Sequence, residues 1–75
     1  MRNVERYTGT LTSLERMPRS INGNPRYRFV VDGTIIQTAV DSSYGYSVPN
    51  FEGKKVAVMA GIHYGALTLD GIEKA

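Results

Sequence analysis

The sequence predicts a small all-β domain, a five-stranded barrel, and three observations carry that expectation. Asp32-Gly33 lies between Arg26-Tyr27-Arg28-Phe29-Val30-Val31 and Thr34-Ile35-Ile36-Gln37-Thr38-Ala39-Val40, two runs rich in β-branched and aromatic residues. Both central residues of a type I′ turn need positive φ, which Asp and Gly tolerate, so the pair reads as a two-residue hairpin turn. Alternating segments before and after this hairpin add further strands, separated by turns containing Gly, Pro and Asn. Gly45 and Pro49 break up the one segment where a helix is able to start.

With 75 residues the chain is expected to form one domain, 1–75, whose core is barely sufficient, so every strand must contribute burial. Cysteine is absent, which excludes disulfide staples and thiolate metal sites and leaves packing or a partner subunit to supply stability. No apolar run approaches the roughly 20 residues of a membrane helix. The first residues, Met1-Arg2-Asn3-Val4-Glu5-Arg6, lack the apolar region of a signal peptide. A cytoplasmic protein with no membrane contact is therefore expected. The net charge is only +2, but Arg2, Arg6, Arg16, Arg19, Arg26 and Arg28 all fall in the first 28 residues. Such clustering lets a local basic face attract phosphate while the whole molecule stays near neutral.

Along the chain, residues 7–17 alternate as strand 1, but the apolar phase slips: Tyr7, Gly9 and Leu11 share one parity and Leu14 has the other. A bulge or sharp bend carries such a slip, and Gly9 permits coiling, so this strand is expected to be long and bent. Pro18 ends it. Residues 19–25 have turn chemistry, with Asn22-Gly23 a tight turn and Asn24 held extended by Pro25. In the hairpin of strands 2 and 3, Val31 then opposes Thr34, Phe29 opposes Ile36 and Tyr27 opposes Thr38 on the core face. Val30 meets Ile35, Arg28 meets Gln37 and Arg26 meets Ala39 on the other face. Asp41 or Ser42 caps one helical turn, and Val48 and Phe51 plug one end of the barrel. Residues 54–60 form strand 4 with Val56, Val58 and Ala60 inward. Gly61-Ile62-His63-Tyr64-Gly65 reads as a hairpin loop, and 66–69 begin strand 5, which Asp70-Gly71 interrupts before Ile72. The expected core is Leu11, Tyr27, Phe29, Val31, Ile36, Val56, Val58 and Leu67.

This order of strands, with Gly9, Asp32-Gly33 and Gly53 at the bends and a short helical plug between strands 3 and 4, resembles the OB-fold, a five-stranded, partly open Greek-key barrel. The weak helix also suits an SH3-like small barrel. Resemblance to OB-fold proteins implies that a single strand of nucleic acid lies on the exposed face of strands 2 and 3. That face is bordered by the loop joining strands 1 and 2 and the loop joining strands 4 and 5. Those regions hold Arg16, Arg19, Arg26, Arg28, Gln37, His63 and Tyr64. Guanidinium groups neutralise phosphates and stack on bases, and an exposed ring offers each base a platform.

Catalysis finds little support. There is one histidine, and Asp32, Asp41 and Asp70 each sit beside turn residues, where a carboxylate mainly bonds local backbone. A filled small barrel offers no pocket for an acid and a base. His63 has no neighbouring ligand at the spacing of a zinc motif, so neither metal nor cofactor is expected. Two classes of function remain. One is a nucleic-acid-binding module, with single-stranded DNA or RNA favoured over duplex because no recognition helix exists to enter a major groove. The other is a small protein-interaction or inhibitor module, of the phage or plasmid accessory type, docking by a strand edge or by the His63-Tyr64 loop. In that second case Arg26 and Arg28 are solvated residues or cross-strand partners of acids such as Glu15.

Overall fold

The computed structural model describes residues 3–18, 23–40 and 42–75, which form a six-stranded mixed sheet with two short 3-10 turns and no α-helix. The strands are β1 (Val4–Thr10), β2 (Thr12–Met17), β3 (Arg26–Val31), β4 (Thr34–Gln37), β5 (Lys55–His63) and β6 (Ala66–Lys74). They lie in the order β1-β5-β6-β4-β3-β2, so β1 and β2 are the two edges and the sheet is not closed into a barrel. All neighbours are antiparallel except β4 and β6, which meet in parallel at Gln37 and Thr68. No helix among the described residues is long and apolar enough to cross a membrane.

Six strands replace the expected five because strand 1 breaks at Leu11. The Leu11 amide donates to the Lys54 carbonyl at 3.0 Å, and the Leu11 carbonyl accepts from the Gly53 amide at 2.8 Å. Both ladder groups of that residue are thus diverted to the segment entering β5. Its side chain is fully buried at the bend. The N-terminal half begins earlier than expected, at Val4, and pairs with β5; the C-terminal half pairs with β3. A register shift between Thr12 and Glu15, with Ser13 at φ +53°, is the phase slip expected from Leu11 and Leu14. One extra residue there turns Leu14 back toward the core, which it packs against.

The β3–β4 hairpin has the register its side chains demand. Val31 opposes Thr34, Phe29 opposes Ile36, Val30 opposes Ile35 and Arg28 opposes Gln37, around Asp32 at φ +52° and Gly33 at φ +70°. Beyond the ladder, the Thr38 amide donates to the Tyr27 carbonyl at 2.9 Å and Thr38 Oγ1 accepts from the Tyr27 amide at 3.1 Å. Leu11, Phe29, Val31, Ile36, Val56 and Val58, expected in the core, are completely buried. Tyr27 and Leu67, expected with them, are half-buried and pack at its margin.

Between β4 and β5 the chain makes two 3-10 turns, Ser43–Tyr46 and Val48–Phe51. Ser42 Oγ accepts from the Tyr44 amide at 3.1 Å and so caps the first; Asp41, the other candidate cap, lies outside the described residues. Pro49 starts the second turn, which delivers fully buried Val48 and half-buried Phe51 to the core. The last two strands depart from expectation at both ends. Gly61, Ile62 and His63 belong to β5, and the connection is only Tyr64-Gly65, at φ +51° and +77°. β6 runs unbroken through Asp70, which the ladder accommodates as a bulge because Met59 opposes Gly71 while Ala60 opposes Leu69.

Candidate nucleic-acid interface

Alternation along the strands decides which side chains share a face. In β3, Phe29 and Val31 are buried, so Arg28 and Val30 point outward; in β4, Ile36 is buried, so Ile35 and Gln37 point outward. Residues directly opposite in a ladder share a face, which carries the outer side from Arg28 to Gln37 and on through the parallel pair to Thr68. Two residues back along β6, Ala66 points the same way, and Ala66 opposes His63 of β5. The outer face thus joins Arg28, Val30, Ile35, Gln37 and His63. At roughly 4.8 Å per strand it extends about 15 Å from β3 to β5.

At one border stands Tyr64, 95% exposed, with its ring edge-on to His63 at a centroid separation of 4.4 Å and an interplanar angle of 63°. This geometry follows from the tight turn: a two-residue connection with two positive φ values throws the first side chain clear of the sheet. Ile35, 62% exposed, adds an apolar step to the face, a residue that sequence reasoning assigned to this side without giving it a role. Its signal was legible, since Ile35 opposes Val30 on the face opposite Phe29.

Among the arginines the arrangement is less uniform than a basic groove. Arg28 Nη2 donates to Glu15 Oε1 at 2.8 Å, both side chains being about half exposed. The cross-strand partnership with Glu15 named as the alternative to phosphate binding is therefore present. Arg26 Nη2 donates to the Thr38 carbonyl at 3.2 Å, and its Nε is buried without a hydrogen-bond partner among the described residues. Arg26 shares the parity of Arg28, but its guanidinium is tied back to the backbone just past β4. Arg16 opposes Tyr27, so the ladder assigns it to the other side from Arg28, although it is exposed. Arg19 lies outside the described residues. Of the seven candidates, then, Arg28, Gln37 and His63 share one face with Tyr64 at its edge, Arg26 has the same parity but is held by the Thr38 carbonyl, and Arg16 is directed to the other side.

The bulge in β2 explains this redistribution. Counting regularly from Thr12 opposite Val30 would set Glu15 against Tyr27 and Arg16 against Arg26. The extra residue moves Glu15 onto Arg28 and takes Arg16 away from a like charge. The chain matches no protein-family model, and no curated protein is significantly similar to it in sequence.

Proposed function

We propose that this protein is a non-enzymatic nucleic-acid-binding module that takes single-stranded DNA or RNA on the outer face of β3, β4 and the start of β6. The observation that carries this is the nearly fully exposed ring of Tyr64 beside His63, on the border of a face that also presents Arg28, Gln37 and Ile35. An exposed aromatic at a turn packs against little of its own protein, and bases stack on such rings regardless of sequence. Single strands are favoured because the two helical segments are four-residue 3-10 turns, too short to enter a major groove. Such a module works in the cytoplasm, as the sequence leads one to expect.

The finer fold assignment belongs with this proposal. Taking β1 and β2 as one strand bent at Leu11, the pairings start and end on that same strand, with β5, β6, β4 and β3 between, five strands in all. That is how a partly open Greek-key barrel of the OB type comes round on itself.

A second function has its own support. Glu15 neutralises Arg28, and Ile35 on the same face is about 60% exposed, which suits docking of a protein partner there. Fluorescence-anisotropy titration with labelled single-stranded and duplex oligonucleotides at two salt concentrations separates the two. Phosphate contacts make affinity fall as salt rises, with log K changing by about −0.7 per contact per log unit of salt for single strands. Two or three contacts therefore predict a slope of about −1.4 to −2.1 and preference for the single strand. Failure of any oligonucleotide to bind at low salt leaves the protein-interaction function standing.

A further inference from the structure

Toward the Lys55 end of β5, away from the His63 tip, the sheet carries a second concavity. Ladder register sets Arg6 of β1 beside Met59 of β5 and Met59 beside Gly71 of β6, with Ala57 beside Glu73 one step along. With Tyr44 from the first 3-10 turn and Ile72, these residues line a cavity of about 250 Å³. Small residues hollow it out. Ala57 is outside the core cluster yet only 4% exposed, because longer neighbours stand around it. Gly71 leaves open the space over β6: a Cβ built there would lie 3.9 Å from Tyr44 Oη and 4.0 Å from Met59 Cβ.

The polar groups around this floor are unspent. Arg6 and Glu73 stand on the strands flanking β5, level with Met59 and Ala57 respectively, so their backbones are about 12 Å apart. Among the described residues neither forms an ion pair, with the other or with any neighbour, and the Tyr44 hydroxyl has no hydrogen-bond partner. A cation, an anion and a hydroxyl thus border one hollow floored by Ala57, Met59 and Gly71 without satisfying one another. A purely anionic ligand would meet Glu73 and a purely cationic one Arg6. A molecule carrying both charges around an apolar group satisfies every wall, and the volume is below the roughly 300 Å³ of the smallest drug-sized sites.

We propose that this cavity binds a free apolar amino acid as its zwitterion. The carboxylate accepts from the Arg6 guanidinium and the Tyr44 hydroxyl, the ammonium donates to the Glu73 carboxylate, and the side chain covers Ala57 and Met59. The site lies at the opposite end of β5 from His63 and does not depend on the nucleic-acid proposal.

The test is a two-dimensional amide NMR titration of the full chain with leucine and methionine, and with the two halves of leucine chemistry, 3-methylbutylamine and 4-methylpentanoate. Both amino acids should shift the amides of Arg6, Met59, Gly71 and Glu73 and saturate in the millimolar range. Each half-molecule should bind about tenfold more weakly, the size of one charge-assisted hydrogen bond. Arg6→Gln and Glu73→Gln, both at exposed positions, should each weaken leucine binding about tenfold while keeping a dispersed spectrum. Gly71→Val should fill the hollow and remove binding. Absence of saturable shifts with either amino acid, equal binding of the half-molecules, or unchanged binding in Arg6→Gln overturns the proposal.

Discussion

Replacing Tyr64 by Asn should make the protein more stable and a poorer binder at once. Tyr64 holds φ at +51°, a left-handed conformation that costs an ordinary L-residue about 1–2 kcal/mol and that Asn adopts readily. Its ring is 95% exposed, so truncation gives up little burial. What it does give up is the edge contact with His63, and such aromatic pairs contribute about 0.5 kcal/mol at the weak, solvated end of their range. Recovering most of the backbone cost and losing that contact leaves a net gain of about 0.5–1 kcal/mol. For a domain of this size that raises the thermal midpoint by about 2–8 °C, measured by circular dichroism melting. In the same variant, loss of a stacking platform should weaken single-strand binding by about 1–3 kcal/mol, or about 5- to 150-fold, with little change in salt slope. A lower melting temperature would mean that the ring supports the fold. Unchanged oligonucleotide affinity would mean that it supports no base.

Other residues give equally separable outcomes. Phe29→Ala, at a completely buried position, should cost about 3–5 kcal/mol and leave most molecules unfolded in a thermal or urea melt; a wild-type curve would show the faces of β3 to be misassigned. Glu15→Gln releases Arg28, so oligonucleotide affinity should rise and the salt slope steepen by about 0.7, while stability changes by less than about 1 kcal/mol because the pair is half exposed. Gly45→Ala should destabilise strongly, since a Cβ there runs into the Pro25 carbonyl oxygen; an unaltered denaturation midpoint would contradict that packing. Tyr7 holds its phenolic proton above the ordinary value of 10.0, first through desolvation, then through its hydrogen bond to Glu5 and the charge of that carboxylate. The folded state therefore keeps a proton that the unfolded chain releases, so this contribution to stability is present below pH 10 and lost as pH rises beyond it. Glu5→Gln should move the Tyr7 titration downward in an ultraviolet or carbon-13 NMR pH series.

Local chemistry was legible in the sequence wherever one segment determined its own geometry. Asp32-Gly33 announced both the turn and the register, because only a two-residue type I′ connection aligns Phe29 with Ile36. The parity slip between Leu11 and Leu14 announced a bulge, though not its position. That position depends on which residue faces which across β2 and β3, a non-local matter, and it reassigned Arg16 and Glu15. Leu11 as a break between two strands was illegible for the same reason: its backbone bonds go to Gly53 and Lys54, more than forty residues on. Tyr64-Gly65 went unread as a tight turn because Tyr is penalised at positive φ, so the residue type argued for a longer loop. The hollow at Arg6, Met59 and Glu73 is assembled from three strands and a 3-10 turn, and no spacing along the chain marks it.

The central claim, that the outer face of β3, β4 and the start of β6 receives a single strand, is tested most directly by mapping the amides that shift when an oligothymidine is added to the labelled protein. The largest shifts should fall on Arg28, Val30, Ile35, Gln37, His63 and Tyr64, and increasing salt should reverse them. Shifts confined to β1 and the Lys55 end of β5, or none at low salt, would contradict it.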